Sequence, residues 1–184
     1  MTRRLSAVAA VLFAAAAFAD EPLASGPEVG RRPMPYAFVL ATGPDRGTAH
    51  CYVCDTADKP AAVVFARSLS EPLGKLAAKL DQAAADAVVP EFRGWLTLLT
   101  AGPQPDAEDR LAAWGRKHAV RQLPLGVFED EVGPPAYRLS KRADVTVVLF
   151  VKRQTVATFA FQPGELTDAR IGDVVKALEK LKEK

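Results

Sequence analysis

The sequence predicts an α/β domain whose mixed sheet is flanked by helices and preceded by an N-terminal extension. Three observations carry this. The run Ala61–Ala66 (Ala-Ala-Val-Val-Phe-Ala) is apolar at every position and lies between Pro60 and a helix-capping signal, the pattern of a buried strand. Two further apolar runs, Trp95–Thr100 and Leu123–Phe128, are separated from it and from each other by stretches of helical periodicity, which implies crossover units and a parallel core. Finally, Asp144–Lys152 is the most β-prone run of the chain, and Thr155–Phe161 returns from it in alternation after a turn at Arg153 and Gln154.

Taken in order, residues 1–19 read as a secretory signal peptide. Arg3 and Arg4 form the basic start, Leu5–Phe18 is apolar, and Ala17-Phe18-Ala19 is a small-x-small cleavage pattern, with cleavage expected before Asp20. The apolar run falls short of the roughly 20 residues that span a bilayer. Residues 20–35, rich in Pro, Gly and charge, read as a flexible leader, and the folded domain as residues 36–184. Tyr36–Thr42 is an apolar, strand-like addition, and Gly43–Pro60 a polar loop.

After the Ala61–Ala66 strand, Ser68 or Ser70 caps a helix. Ser68-x-x-Glu71 fits a capping box, and Pro72 suits a first turn. Leu73, Leu76, Ala77, Leu80 and Ala84 share one face of that helix. Asp106 is placed to cap a second helix, with Leu111, Trp114 and His118 on one face; Thr167 or Asp168 opens the last, with Ile171, Val174, Val175, Leu178 and Leu181 as its apolar stripe.

The formal net charge is +2. Both excess positive charges sit on the signal segment, so the exported chain is neutral overall. That leaves no basic stripe for a nucleic acid or an anionic membrane, and the mixed-charge tail from Lys176 to Lys184 reads as a solvated helix face. Two cysteines in an exported chain point to an oxidising compartment such as the periplasm or the extracellular space, where a disulfide persists.

This succession of elements resembles the thioredoxin-like superfamily, in particular its exported thioredoxin-like and peroxiredoxin-like branch. The resemblance runs from about Ala61 to Leu181. It rests on the strand ending Val64-Phe65-Ala66 and its following helix, the Leu111–His118 helix leading to a short strand, the loop through Tyr137, and Val145-Thr146-Val147-Val148-Leu149-Phe150 with its hairpin partner. It implies a thioredoxin-like sheet and, generically, thiol–disulfide chemistry with a protein substrate or partner. Two departures stand out. Where active members open the helix with Cys-x-x-Cys, this chain has Ser68-Leu69-Ser70-Glu71-Pro72. Where they place a cis-proline before the hairpin, it has Val145, for which a cis bond would cost about 2.5–4 kcal/mol.

The only chemistry-capable motif is His50-Cys51-Tyr52-Val53-Cys54-Asp55, on the loop before the first core strand. Three readings stay open. As a redox pair, Cys51 would attack a partner disulfide and Cys54 would resolve the mixed disulfide. That reading expects Cys51 exposed and the pair near the carboxyl end of Ala61–Ala66. As a structural disulfide, the pair would pin a tight loop. As half of a metal site, His50, Cys51 and Cys54 supply three ligands where structural zinc usually takes four; Asp55 stands where a c-type haem motif needs histidine. No metal and no cofactor is favoured. His118 reads as a packed or capping residue, Trp95 and Trp114 as core, and Ser68 and Ser70 as caps, since no Gly-x-Ser-x-Gly elbow surrounds them. A non-catalytic binding module is the alternative for the whole chain, its contact surface around Ser68–Pro72 and Asp144–Thr146.

Overall fold

The computed structural model describes residues 23–182, so the expected signal segment lies outside the described residues. The elements are β1 (Phe38–Leu40), β2 (Ala49–His50), α1 (Tyr52–Thr56), β3 (Ala61–Ala66), α2 (Glu71–Ala85), β4 (Arg93–Leu99), α3 (Ala107–Lys117), β5 (Leu125–Phe128), a 3-10 turn (Pro135–Tyr137), β6 (Val145–Val151), β7 (Gln154–Phe161), α4 (Asp168–Ala177) and a 3-10 continuation (Leu178–Leu181). They form one seven-stranded sheet in the order β2-β1-β5-β4-β3-β6-β7. β3, β4 and β5 run parallel, while β6 lies antiparallel to β3 with Ala66 opposite Val145, and β7 returns beside β6. The expected mixed sheet is thus present. Tyr36–Thr42 does join it, as β1, antiparallel to β5.

β3 alternates its side chains between two cores. Ala62, Val64 and Ala66 face a cluster built with α2, α3 and α4 through Leu73, Leu76, Leu111, Trp114, Ile171 and Val174. Ala61, Val63 and Phe65 face a second, aromatic cluster with Tyr36, Phe38, Trp95, Tyr137 and Phe150, against which Tyr52 and Val53 of α1 pack. The three long helices therefore share one face. The strand order explains this: β3→β4→β5 steps always in one direction, so right-handed crossovers put α2 and α3 on the same side. The other face is closed by α1, the 3-10 turn and the N-terminal segment.

Residues 23–35, expected as a flexible leader, are laid along β7. The Gly30 N–H donates to Thr155 O at 2.8 Å and the Thr155 N–H to Arg31 O at 2.9 Å. Thr158 Oγ1 donates to Pro27 O at 2.7 Å. Ser25 is buried, its Oγ 2.7 Å from Thr146 Oγ1 and accepting the Ser140 N–H at 3.0 Å. Composition suggested mobility, but an open sheet edge offers unpaired backbone groups that this segment covers.

The caps resolve in detail. Ser70 is the N-cap of α2, its Oγ accepting the Leu73 N–H at 3.3 Å, and Thr167 caps α4. Ser68 does not cap; its hydroxyl donates to Asp144 Oδ2 at 2.8 Å. Asp106 stands at the N-cap of α3 without a side-chain cap bond and reaches Arg110 instead. The hairpin turn is Lys152–Arg153, both at positive φ (49° and 59°), a two-residue loop whose twist suits the flanking strands. No cis peptide bond occurs among the described residues, Val145 included.

One buried acid ties the helical layer to the sheet. Asp81, 9% exposed, takes a place on the buried face of α2 beside Leu80. Its Oδ1 accepts the N–H groups of Arg121 (3.0 Å), Gln122 (2.6 Å) and Leu123 (2.7 Å), the turn that feeds β5. Asp81→Ala leaves three donors without a partner and should cost at least about 3 kcal/mol in urea unfolding; a loss under about 1 kcal/mol would deny Asp81 that role. In the aromatic cluster, burial pushes the phenols of Tyr36 and Tyr137 well above the ordinary tyrosine value; for Tyr36, bonds with Thr97 and Trp95 oppose this in part. The unfolded chain ionises these groups near pH ~10 while the folded chain holds them neutral. Their contribution is thus fully present below about pH 10 and is lost as pH rises beyond it. The Tm should fall on that alkaline limb, and less steeply in a Tyr137→Phe variant.

Candidate functional site

Cys51 and Cys54 form a disulfide, with Cα atoms 5.4 Å apart. Cys51 is the N-cap residue of α1, and its Sγ accepts the Cys54 N–H at 3.3 Å. The helix is a single short turn and a half, anchored from beneath. The Tyr52 ring stacks on Trp95 at 5.7 Å and meets Phe38 at 5.9 Å, and the fully buried Thr56 donates from Oγ1 to Tyr52 O at 2.7 Å. Burial first, and Asp45 and Asp55 next, push the Tyr52 phenol up, so it stays protonated on the core.

The location departs from the expectation for a redox pair. α1 leads into the amino end of β3, beside the β6–β7 turn. The Lys152 N–H donates to Asp58 O at 3.0 Å, and Arg153 Nε lies 3.0 Å from Asp58 Oδ1. The pair therefore sits at the end of β3 opposite to Ala66. The exposure is also inverted: Cys54 is open to solvent and Cys51 only half so. The physical reason is the helical turn itself. With Tyr52 and Val53 turned onto the aromatic core, Cys54 projects outward and Cys51 lies at the root of the turn.

Cys54 opens on a cleft of about 160 Å³ lined by Arg32, Pro33, Pro35, Val53, Ala57, Phe150 and Arg153. His50 does not line this cleft; its Nε2 is 2.8 Å from Asp55 Oδ2 and its ring 4.3 Å from that of Tyr52. The weaker metal alternative of His50, Cys51 and Cys54 is not assembled: both sulfurs are in the disulfide, and among the described residues no group of three or more His, Cys, Asp or Glu is placed to hold a metal.

The carboxyl end of β3 is organised by structural hydrogen bonds. Arg67 donates from Nε to Ala143 O at 2.9 Å, from Nη2 to Ser140 O at 3.2 Å, and from Nη1 to Glu131 O. Ser70 is engaged with the first turn of α2 and Ser68 with Asp144. Together with Leu98–Ala101, Gln104 and Arg110, this end borders a cleft of about 500 Å³. His118 lies away from both clefts. Its side chain is 7% exposed, its ring lies 4.9 Å from that of Trp114, and it packs so closely on Gly74 that a Cβ there would collide with the imidazole. It is both a packed residue and the C-cap of α3. Arg67 and Arg32 were missed in the sequence. Arg67 directly follows a buried strand, which is a usable signal; Arg32 lies in a stretch read as leader, and nothing local marks it.

No protein-family model matches the chain, and no curated protein matches it. Solved structures do. A candidate protein disulfide isomerase from Bacteroides thetaiotaomicron aligns at TM-score 0.64 and 12% identity, over 88% of this chain and 96% of its own. A secreted disulfide oxidoreductase of Mycobacterium tuberculosis, homologous to E. coli DsbE, aligns at TM-score 0.56 and 13% identity, over 77% and 95%. The peroxidoxin BcpB of Mycobacterium tuberculosis aligns at TM-score 0.57 and 14% identity, over 83% and 96%. The chain has the thioredoxin-like fold that its sequence resembles, and these neighbours include thiol–disulfide oxidoreductases.

A ring closed across only two intervening residues removes little entropy from the unfolded chain. The double substitution Cys51→Ser with Cys54→Ser should lower the unfolding free energy by no more than about 2 kcal/mol in denaturant titration. A loss well above that would mark the bond as a principal staple of the fold.

Proposed function

We propose that this chain is an exported thiol–disulfide exchange protein whose working pair is Cys51–Cys54, displaced from the place that the thioredoxin-like fold usually uses. The observation that carries the reading is the disulfide itself, with one of its cysteines exposed and lining a cleft. Exchange needs two sulfurs within bonding reach and one of them open to an incoming thiolate. A bond closing so small a loop adds little as a staple, so its chemistry is the better reason for its presence. The signal-like start at residues 1–19 supports delivery to the periplasm or the exterior, where such a pair meets protein thiols. The fold neighbours support a protein disulfide or dithiol as substrate. Exchange of this kind needs no cofactor and no metal. Its machinery differs from the family's usual one: neither the start of α2 nor the start of β6 faces the pair.

A second reading is favoured by the cleft at the carboxyl end of β3, where Ser70 caps α2 at the start of the helix that active members open with Cys-x-x-Cys. In that reading the chain is a non-catalytic module that grips a protein partner around Ser68–Pro72 and Asp144–Thr146, and the disulfide only pins Tyr52 and Val53 on the core. One titration separates the two. The exported, metal-free protein is equilibrated across a glutathione series, alkylated and weighed. Exchange expects a midpoint between about −120 and −270 mV, where oxidoreductases poise themselves. A midpoint below about −300 mV, or thiols that never form, would leave the binding module as the reading.

A further inference from the structure

Resting on the exchange reading above, we infer that Cys54, not Cys51, is the sulfur that meets substrate, and that the cleft beside it takes a protein segment with an acidic residue next to its cysteine. Four observations on the same small surface lead there. Cys54 is exposed and lines the cleft, whereas Cys51 is half-buried and its Sγ is engaged with the Cys54 N–H at 3.3 Å. The floor of the cleft is apolar, with Phe150 2% exposed and Val53 half-buried. Its volume, about 160 Å³, suits one side chain rather than a folded surface. Its rim is cationic. Arg153 shares its charge with Asp58, but Arg32 is exposed and has no acidic partner among the described residues, although its neighbour Arg31 pairs with Glu28.

The exchange then runs as follows. A substrate thiolate attacks Cys54 Sγ, the Cys51–Cys54 bond breaks, and Cys51 leaves with the electron pair as a thiolate at the root of the turn, where the Cys54 N–H is already directed at it. The second thiolate of the substrate attacks the substrate sulfur of the mixed disulfide and Cys54 leaves. The substrate dithiol becomes a disulfide, the protein disulfide becomes two thiols, and the two protons of the substrate end on Cys51 and Cys54. Arg32 reads the flanking carboxylate. It is a specificity residue and takes no part in the bond changes.

The test uses three short peptides, each with one cysteine activated as a 2-thiopyridyl disulfide and flanked by glutamate, alanine or lysine. Attack by a free protein thiolate joins the peptide to the protein and releases thiopyridone, which is read by absorbance. Cys51→Ser, which keeps Cys54, should react faster than Cys54→Ser with every peptide. It should also prefer the glutamate peptide over the lysine peptide about three- to fivefold, the size that an exposed ion pair supplies. Adding Arg32→Ala should abolish that preference without changing the rate with the alanine peptide, and Arg32→Lys should retain it in part. Faster reaction of Cys54→Ser, no charge preference, or a preference that survives Arg32→Ala would each overturn the inference. The glutathione titration of the unsubstituted protein keeps the two levels apart: if the pair exchanges there but shows no peptide preference, only this inference falls.

Discussion

The structure depends on the burial of β3. Its six residues are at most 1% exposed, so none of their backbone groups can turn to water. Each must be paired inside the protein, and an unpaired one would cost about 1–3 kcal/mol. β4 meets this need on one side in parallel and β6 on the other in antiparallel, residue for residue from Ala61 to Ala66. A parallel neighbour requires a crossover, hence α2; β6 lies on the side of β3 away from β4 and β5, hence the long connection through the 3-10 turn before it. The mixed sheet follows from the demands of this one strand.

The two ends of β3 have separate tasks. At its carboxyl end, Arg67 collects carbonyl oxygens from 131, 140 and 143, and the Arg67 N–H extends the pairing to Asp144 O at 2.9 Å. One guanidinium therefore fastens the segments that enter β6. Planar and always charged, it can satisfy several carbonyls at once. This is the end at which the thioredoxin-like fold usually does chemistry, and here its polar groups are engaged in holding the chain together. At the amino end, α1 rests on the aromatic cluster through Tyr52, and the β6–β7 turn reaches it through Asp58. That support holds the disulfide on the surface in one orientation.

The two cores differ in kind. The helical side is mainly aliphatic, with α2 and α4 side by side and α2 against β4. The other side is a set of aromatic rings around Tyr36, whose hydroxyl accepts the Trp95 Nε1–H at 2.8 Å and lies 2.8 Å from Thr97 Oγ1. Rings provide area with few rotatable bonds, which suits a face closed by one short helix and an N-terminal segment in place of long helices. Tyr36 gives this face its polar centre and fixes the ring arrangement on which α1 rests.

What the sequence determined by itself is what local pattern encodes. Period and composition marked β3 through β7, the three long helices and the two-residue hairpin to within a residue or two, because each of these elements buries its own regular stripe. The helix starts were legible for the same reason, since a cap's partner lies three residues away, but the choice of Ser70 over Ser68 and of Thr167 over Asp168 came from the structure. The motif of Cys51 and Cys54 was also plain as chemistry. Only the tertiary structure decided where that motif sits, which cysteine is exposed, and what surrounds it. Those depend on Tyr52 meeting Trp95, on Asp58 meeting the turn at Lys152, and on Arg32 arriving from a segment held by Thr155 and Thr158, contacts between residues about 40 to 130 positions apart. The same holds for Asp81, whose partners lie some 40 residues on, and for the single-sided helical layer, which follows from strand order. Spacing in sequence carries no record of such distances; only the packing of β3 and its neighbours brings them together.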